Sequence, residues 1–183
     1  MLSAARELFS TRGIKGVSVD EVAEMAQTNK MTLYRHFESK DLLVAAYLRE
    51  LAAEADREWE AITLAHPGDP AGQIKAWIAL VASHLAQSDD RGCPLANAAV
   101  ELPDKEHPAR TVIEQHKTAQ RDHLVHLCGK AGFEHPAQLA DEIFLLLEGA
   151  RVNVQSVGRC GPGGRFAAMA CTLMASHTRT GTP

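Results

Sequence analysis

Three histidines, one cysteine and one acid–amide pair are the residues whose type and spacing first suggest chemistry. His116, His123 and His126 are separated by seven and three residues, which puts them on roughly one side of a helix. With His84 they form a candidate set for Zn or Cu, since neutral imidazole binds both. No acid or cysteine stands at tight ligand spacing with them, and the chain's nine histidines are scattered. The expectation is therefore polar surface or pocket histidines and no metal. Cys93 stands between Gly92 and Pro94 at a helix start, where amide dipoles favour a thiolate. It is a candidate sensor of electrophiles or oxidants, against the plainer reading of a small packed side chain. Asn97 and Glu101, one helical turn apart, can orient a small molecule. His84, Glu101, His116 and His123 come nearest to a catalytic set, but no nucleophile elbow, phosphate loop or metal motif anchors them. Neither an enzyme nor a cofactor is expected.

The elements that position these residues are helical. Alanine supplies 29 of 183 residues and aromatics only 5%, and alanine favours helices while strands favour aromatic and β-branched side chains. An all-α fold follows. The net charge of −4 excludes a uniformly basic nucleic-acid coat but not a small DNA-reading patch. Residues 1–49 carry a net +1 and the remainder −5. The longest apolar run, Ile143 to Leu147, is far short of the ~20 residues of a membrane span, and Met1-Leu2-Ser3 does not open a signal peptide. The four cysteines form no close pair, which reads as reduced thiols in the cytoplasm.

Proline is absent before Pro67, and its eight copies then fall mainly between periodic apolar stretches. The pattern predicts nine helices, near 1–12, 18–26, 30–37, 39–64, 71–88, 94–102, 107–130, 136–158 and 163–178. The first places Leu2, Ala5, Leu8 and Phe9 on one face. Ser18 with Glu21 three residues on is a capping box for the second, and Asn29 caps the third. Two short helices joined by a tight turn make a helix-turn-helix.

Leu8-Phe9, Gly13, Val17-Ser18-Val19, Val22-Ala23, Lys30, Thr32-Leu33-Tyr34-Arg35-His36-Phe37 and Ser39-Lys40-Asp41-Leu42-Leu43 together resemble the TetR family of bacterial transcriptional regulators, over about residues 1–47. The resemblance implies a DNA-binding domain at 1–47 and a ligand-binding and dimerisation domain at 48–183. It also implies that the third helix reads the major groove from its amino-terminal half. Lys30 would reach guanine or phosphate there, and Met31 and Thr32 a thymine methyl. Tyr34, His36 and Lys40 look like the family's phosphate contacts, with Ser18 a further candidate and Arg35 adding charge to the same surface. Leu33 and Phe37 are core.

The match has three departures. Gln27-Thr28-Asn29 replaces the family's Gly-Val-Ser, so the turn either needs no positive φ or is strained at Gln27. Met31 stands where a small residue is usual, so a relative's operator does not carry over. The chain also begins at the first helix, which implies lower affinity or a start downstream of the true one.

Two recognition helices ~34–36 Å apart suit a palindromic operator on double-stranded DNA, which predicts a homodimer. In the resembled family the last two long helices form that interface. Here they offer Leu139, Ile143, Leu146, Gly149, Ala150, Phe166, Met169, Ala170 and Leu173, joined by the loop from Gly158 to Gly164. Candidate pocket residues are Trp77, Val81, His84, Cys93, Asn97, Glu101, Val112, His116, Phe144 and Leu147, suited to an apolar or aromatic effector. The segment Arg91 to Asn97 is similar to one in a branch of the family. The expected activity is that of a repressor released by its effector through the fourth helix, Lys40 to Leu64. The alternatives are a regulator of the same fold that responds to thiol chemistry or metal, and a helical interaction protein that does not bind DNA.

Overall fold

The computed structural model describes residues 1–87 and 92–178. Among them are nine α-helices: α1 (Leu2–Arg12), α2 (Val19–Met25), α3 (Lys30–Phe37), α4 (Lys40–Ala65), α5 (Pro70–Gln87), α6 (Pro94–Glu101), α7 (Pro108–Lys130), α8 (Pro136–Val157) and α9 (Phe166–Ser176). No strand occurs among the described residues. Residue 88, expected to end the fifth helix, and Arg91 lie outside them. Proline stands at the first turn of α5, α6, α7 and α8, where its missing N–H costs nothing and its fixed φ suits the helix. The last helix begins later than its pattern suggests because Pro162–Arg165 wind as a 3-10 turn.

The packing divides into two units. One joins Met1–Ala55 to Cys93–His116, and the other joins Asp56–Gly92 to Lys117–Pro183. In the first, Ala5, Leu33, Leu43, Val44, Ala45, Leu48 and Ala109 are wholly enclosed. Phe9 and Tyr47 meet at 5.5 Å between ring centres. Burial pushes the Tyr47 hydroxyl up to about 12. Glu101 of α6 closes this unit over the turn that follows α1. Its carboxylate accepts the Lys15 amide at 2.9 Å, and a side chain on Gly13, whose φ is +77°, would meet that carboxylate at 3.0 Å.

The second unit is built around Ile74, Leu124, Cys128, Leu139, Ala140, Ile143, Leu147 and Ala170, all fully covered. Its helices are also tied by ion pairs. Arg121 grips Asp141 through Nε at 2.6 Å and Nη2 at 3.1 Å, and Lys117 reaches Glu148 at 2.6 Å. Close approach of the 3-10 turn to α8 depends on Gly163, where an added Cβ would lie 2.7 Å from the Ala150 carbonyl. The Gly163 amide donates to Asn153 Oδ1 at 3.0 Å.

The expected capping box of α2 is complete. The Glu21 amide donates to Ser18 Oγ at 3.2 Å, and the Ser18 amide donates back to Glu21 Oε2 at 2.7 Å. The Ser18 amide first, then its hydroxyl and Arg12, draw the Glu21 carboxyl down from 4.5 to about 2. A depressed carboxyl stabilises the fold fully above its unfolded value and loses that contribution as the pH falls through its folded one. The wild type should therefore melt above Glu21→Gln near neutral pH, and the gap should close between pH 4.5 and about 2. Melting curves followed by circular dichroism check this; a gap that stays constant down to the lower limit contradicts it.

Candidate nucleic-acid interface

The α3 helix has eight residues, too few to be stable alone. Three local devices hold it. Asn29 Oδ1 accepts the Thr32 amide at 2.9 Å and the Thr32 hydroxyl at 3.1 Å. Leu33 is fully buried, and Phe37, one turn later on the same face, packs half-buried on the same core. After Phe37 the chain turns through Glu38 at φ +55°, whose amide caps the Tyr34 carbonyl at 2.9 Å.

With Leu33 and Phe37 inward, the opposite arc faces solvent. Lys30, Met31, Tyr34, Arg35 and His36 are exposed, Met31 at 69%, while Thr32 is half-buried beneath its cap. The structure thus brings together the major-groove candidates and two of the four phosphate candidates, Tyr34 and His36, on one short helix. The remaining two are already engaged within the protein. Lys40 Nζ donates to the Ile14 carbonyl at 2.7 Å. The Ser18 hydroxyl donates to Glu21 at 2.7 Å.

Asp20 was not anticipated in this surface. It sits 2.9 Å from Lys30 Nζ, and this hydrogen bond raises the lysine's pKa above its ordinary value. The pair is exposed, so it contributes little to stability but sets where the ammonium points. Its sequence signal is a ten-residue spacing across two helices, which local patterns do not register.

The turn between α2 and α3 settles one of the two readings left open above. Gln27 has φ +51°. The Thr28 amide bonds the Ala23 carbonyl at 2.9 Å and the Gln27 amide bonds the Glu24 carbonyl at 2.9 Å. This is the Schellman arrangement, with glutamine in the left-handed position that glycine ordinarily takes.

Residues 1–47 match the family described as bacterial regulatory proteins, tetR family. Residues 70–157 match the LmrA/YxaF-like transcriptional regulator C-terminal domain. The chain belongs to the TetR family. A solved TetR-family regulator from Streptomyces coelicolor, SCO4454, superposes with a TM-score of 0.89 at 25% identity over 96% of this chain and 93% of that one. The Escherichia coli regulator YjdC is 24% identical over 81% of this chain and 78% of its own length. The Mycobacterium repressor DhaR is 25% identical over 62% of this chain, and the match spans only 56% of DhaR.

The pocket residues expected in this TetR-family chain fall in both packing units. In the first, Cys93 and Val112 are buried, Asn97 and His116 are half-buried, and Glu101 holds the Lys15 amide. In the second, Trp77, Val81 and Leu147 are buried, Phe144 lies half-buried with Lys117 Nζ 5.6 Å from its ring centre, and His84 is exposed 3.5 Å from Glu58. His123 packs edge-on against Trp59 at 4.5 Å, and His126 is exposed. Among the described residues no three metal-binding side chains gather.

A cavity of about 460 Å³ does open in the second unit, lined by Ala82, Leu85, Val154, Cys160, Gly163 and Phe166 among others. It lies beside the glycine-rich loop after α8, where small residues leave space that helix periodicity does not reveal. Of the expected interface residues, Leu139, Ile143, Ala150, Phe166 and Ala170 lie in the chain's own core. Leu146 and Leu173 are half-buried, and Gly149 and Met169 face outward.

Left-handed backbone costs an L-residue about 1–2 kcal/mol, part of which a glycine returns as unfolded-chain entropy. Gln27→Gly should accordingly stabilise the protein by about 1 kcal/mol, seen as a raised midpoint in urea unfolding. A lowered midpoint would show that the Gln27 side chain contributes more than its backbone loses.

Proposed function

We propose that this chain is a homodimeric, DNA-binding transcriptional regulator acting in the cytoplasm as a repressor, released from a palindromic operator by a small apolar or aromatic effector. Residues 1–47 serve as the DNA-reading module, and residues 48–183 carry effector binding and dimerisation. The observation that carries the reading is the outward arc of α3. Lys30, Met31, Tyr34 and Arg35 stand exposed on a helix whose other face is locked by Leu33. An eight-residue helix with a capped start and basic, hydroxyl and thioether groups at its exposed edge suits insertion into a major groove.

Support for a dimer comes from α8 and α9. Leu145 and Val152 are 70% and 58% exposed, Met169 is exposed, and Gly149 lies between the first two with open space around its Cα. Large apolar groups left in water along two helices favour association with a second copy. Effector response would pass through α4, which runs unbroken from Lys40 to Ala65 and carries at its start the lysine that holds the Ile14 carbonyl. A ligand acts on such an equilibrium only by binding one state more tightly than the other.

Titrating fluorescent palindromic duplexes over a range of salt tests the DNA reading. Arg35→Ala should weaken every duplex by roughly tenfold and flatten the salt slope by about one ion. Lys30→Ala should also reduce discrimination between duplexes. Wild-type protein that binds no duplex, or whose binding ignores salt, overturns the reading. For the dimer, Leu145→Lys should leave the helical content intact, halve the sedimenting mass and abolish tight operator binding. An unchanged mass for both proteins would remove α8 from the interface.

A further inference from the structure

We propose that Trp59, Gln120 and His123 form the polar lining of an effector site in the second packing unit, with hydrogen-bonding groups that suit an uncharged planar aromatic molecule carrying both a carbonyl and a hydroxyl or N–H group. The proposal rests on the effector-responsive reading above and names the chemistry of that effector. Trp59 Nε1, Gln120 Oε1 and His123 Nε2 are all buried and have no hydrogen-bond partner in the protein. Among the described residues they are the complete set of such side-chain atoms. Buried polar atoms are almost always paired, so finding the set concentrated here marks a place where the protein leaves bonds for something else to complete.

The three side chains are brought together by separate features. Trp59 and His123 touch, with ring centres 4.5 Å apart. Gln120 and His123, three apart on α7, share one helix face. Trp59 and Gln120 are each only 8% exposed, so bulk water does not satisfy them. Behind Trp59 lies Trp77, stacked at 5.2 Å and 13°, which gives the site an apolar aromatic wall.

The atoms specify complementary groups. An indole N–H only donates, so its partner must accept, as a carbonyl does. An amide oxygen only accepts, so its partner must donate, as a hydroxyl or N–H does. Burial first, and neighbouring His126 and Lys130, lower the His123 pKa, with Asp56 acting in the opposite sense. This shift favours the neutral imidazole, which bonds in either sense according to its tautomer. An indole, an amide and a neutral imidazole offer no countercharge, which selects against an ionic ligand.

Trp59 and Trp77 are the chain's two tryptophans, so fluorescence excited selectively at tryptophan reports on this site. Full-length protein is titrated with para-hydroxyacetophenone, with acetophenone (no donor) and with para-ethylphenol (no carbonyl). The proposal expects saturable quenching by the first and binding at least about tenfold weaker for the other two. Gln120→Leu should lower affinity for para-hydroxyacetophenone about tenfold while leaving acetophenone unchanged. A variant that merely loosens the fold would weaken both alike. No saturable quenching by any probe, or equal losses for all three in Gln120→Leu, overturns the site, as does a crystal soaked in the first probe that shows only water on the three atoms. Operator affinity measured in parallel separates the two claims. Probe binding that leaves the DNA bound removes the effector reading, whereas DNA binding without probe binding removes only this site.

Discussion

The α3 helix leaves most of its circumference in solvent, yet an eight-residue helix in water has too few internal hydrogen bonds to persist. Leu33 resolves that conflict. Its complete burial anchors α3 through one side chain, with Phe37 as the second contact, and leaves the remaining positions free to vary in chemistry. The caps at Asn29 and Glu38 then satisfy backbone groups that eight residues cannot satisfy among themselves. Everything presented to solvent by this helix depends on those two apolar contacts, and so does the angle at which it is presented.

The second unit solves a different problem. Its longer helices share one apolar core, and ion pairs link them at its edge. Arg121 with Asp141 and Lys117 with Glu148 link α7 to α8, while Gly163 permits the 3-10 turn to lie against the α8 backbone. Among the described residues, the unpaired atoms of Trp59, Gln120 and His123 are exceptional.

Much of this was readable in the sequence because it is local. The bounds of α3, the Ser18–Glu21 box and the Asn29 cap each depend on residues within four positions of one another, where side-chain geometry and backbone valence decide the outcome. Glycine and proline placed the breaks almost to the residue. What was not readable depends on residues far apart in the chain. Lys30 finds Asp20, and Glu101 finds Lys15, only once helices have packed. Among the apolar residues of α8 and α9, periodicity showed that several faces are apolar without saying which are covered by the chain itself. Leu145 and Val152 turned out exposed, while Leu139 and Ile143 are enclosed. Gln120 did leave a trace, as a polar residue in register with Leu124 and Leu127 on the buried side of α7.

Glu101 also bears on how this protein can be recombined. Its carboxylate holds the amide of a residue 86 positions earlier, and Cys93, Leu95, Ala98 and Val112 share one apolar core with α1 and α2. The part of the chain that reads as a free-standing cassette is thus completed by a segment encoded much later. A chimera that transplanted residues 1–47 onto another scaffold would arrive with an uncovered flank and an unpaired Lys15 amide. A transplant carrying residues 93–116 as well would bring its own lid, which makes the cooperative unit of folding, and so of exchange between relatives, discontinuous along the gene.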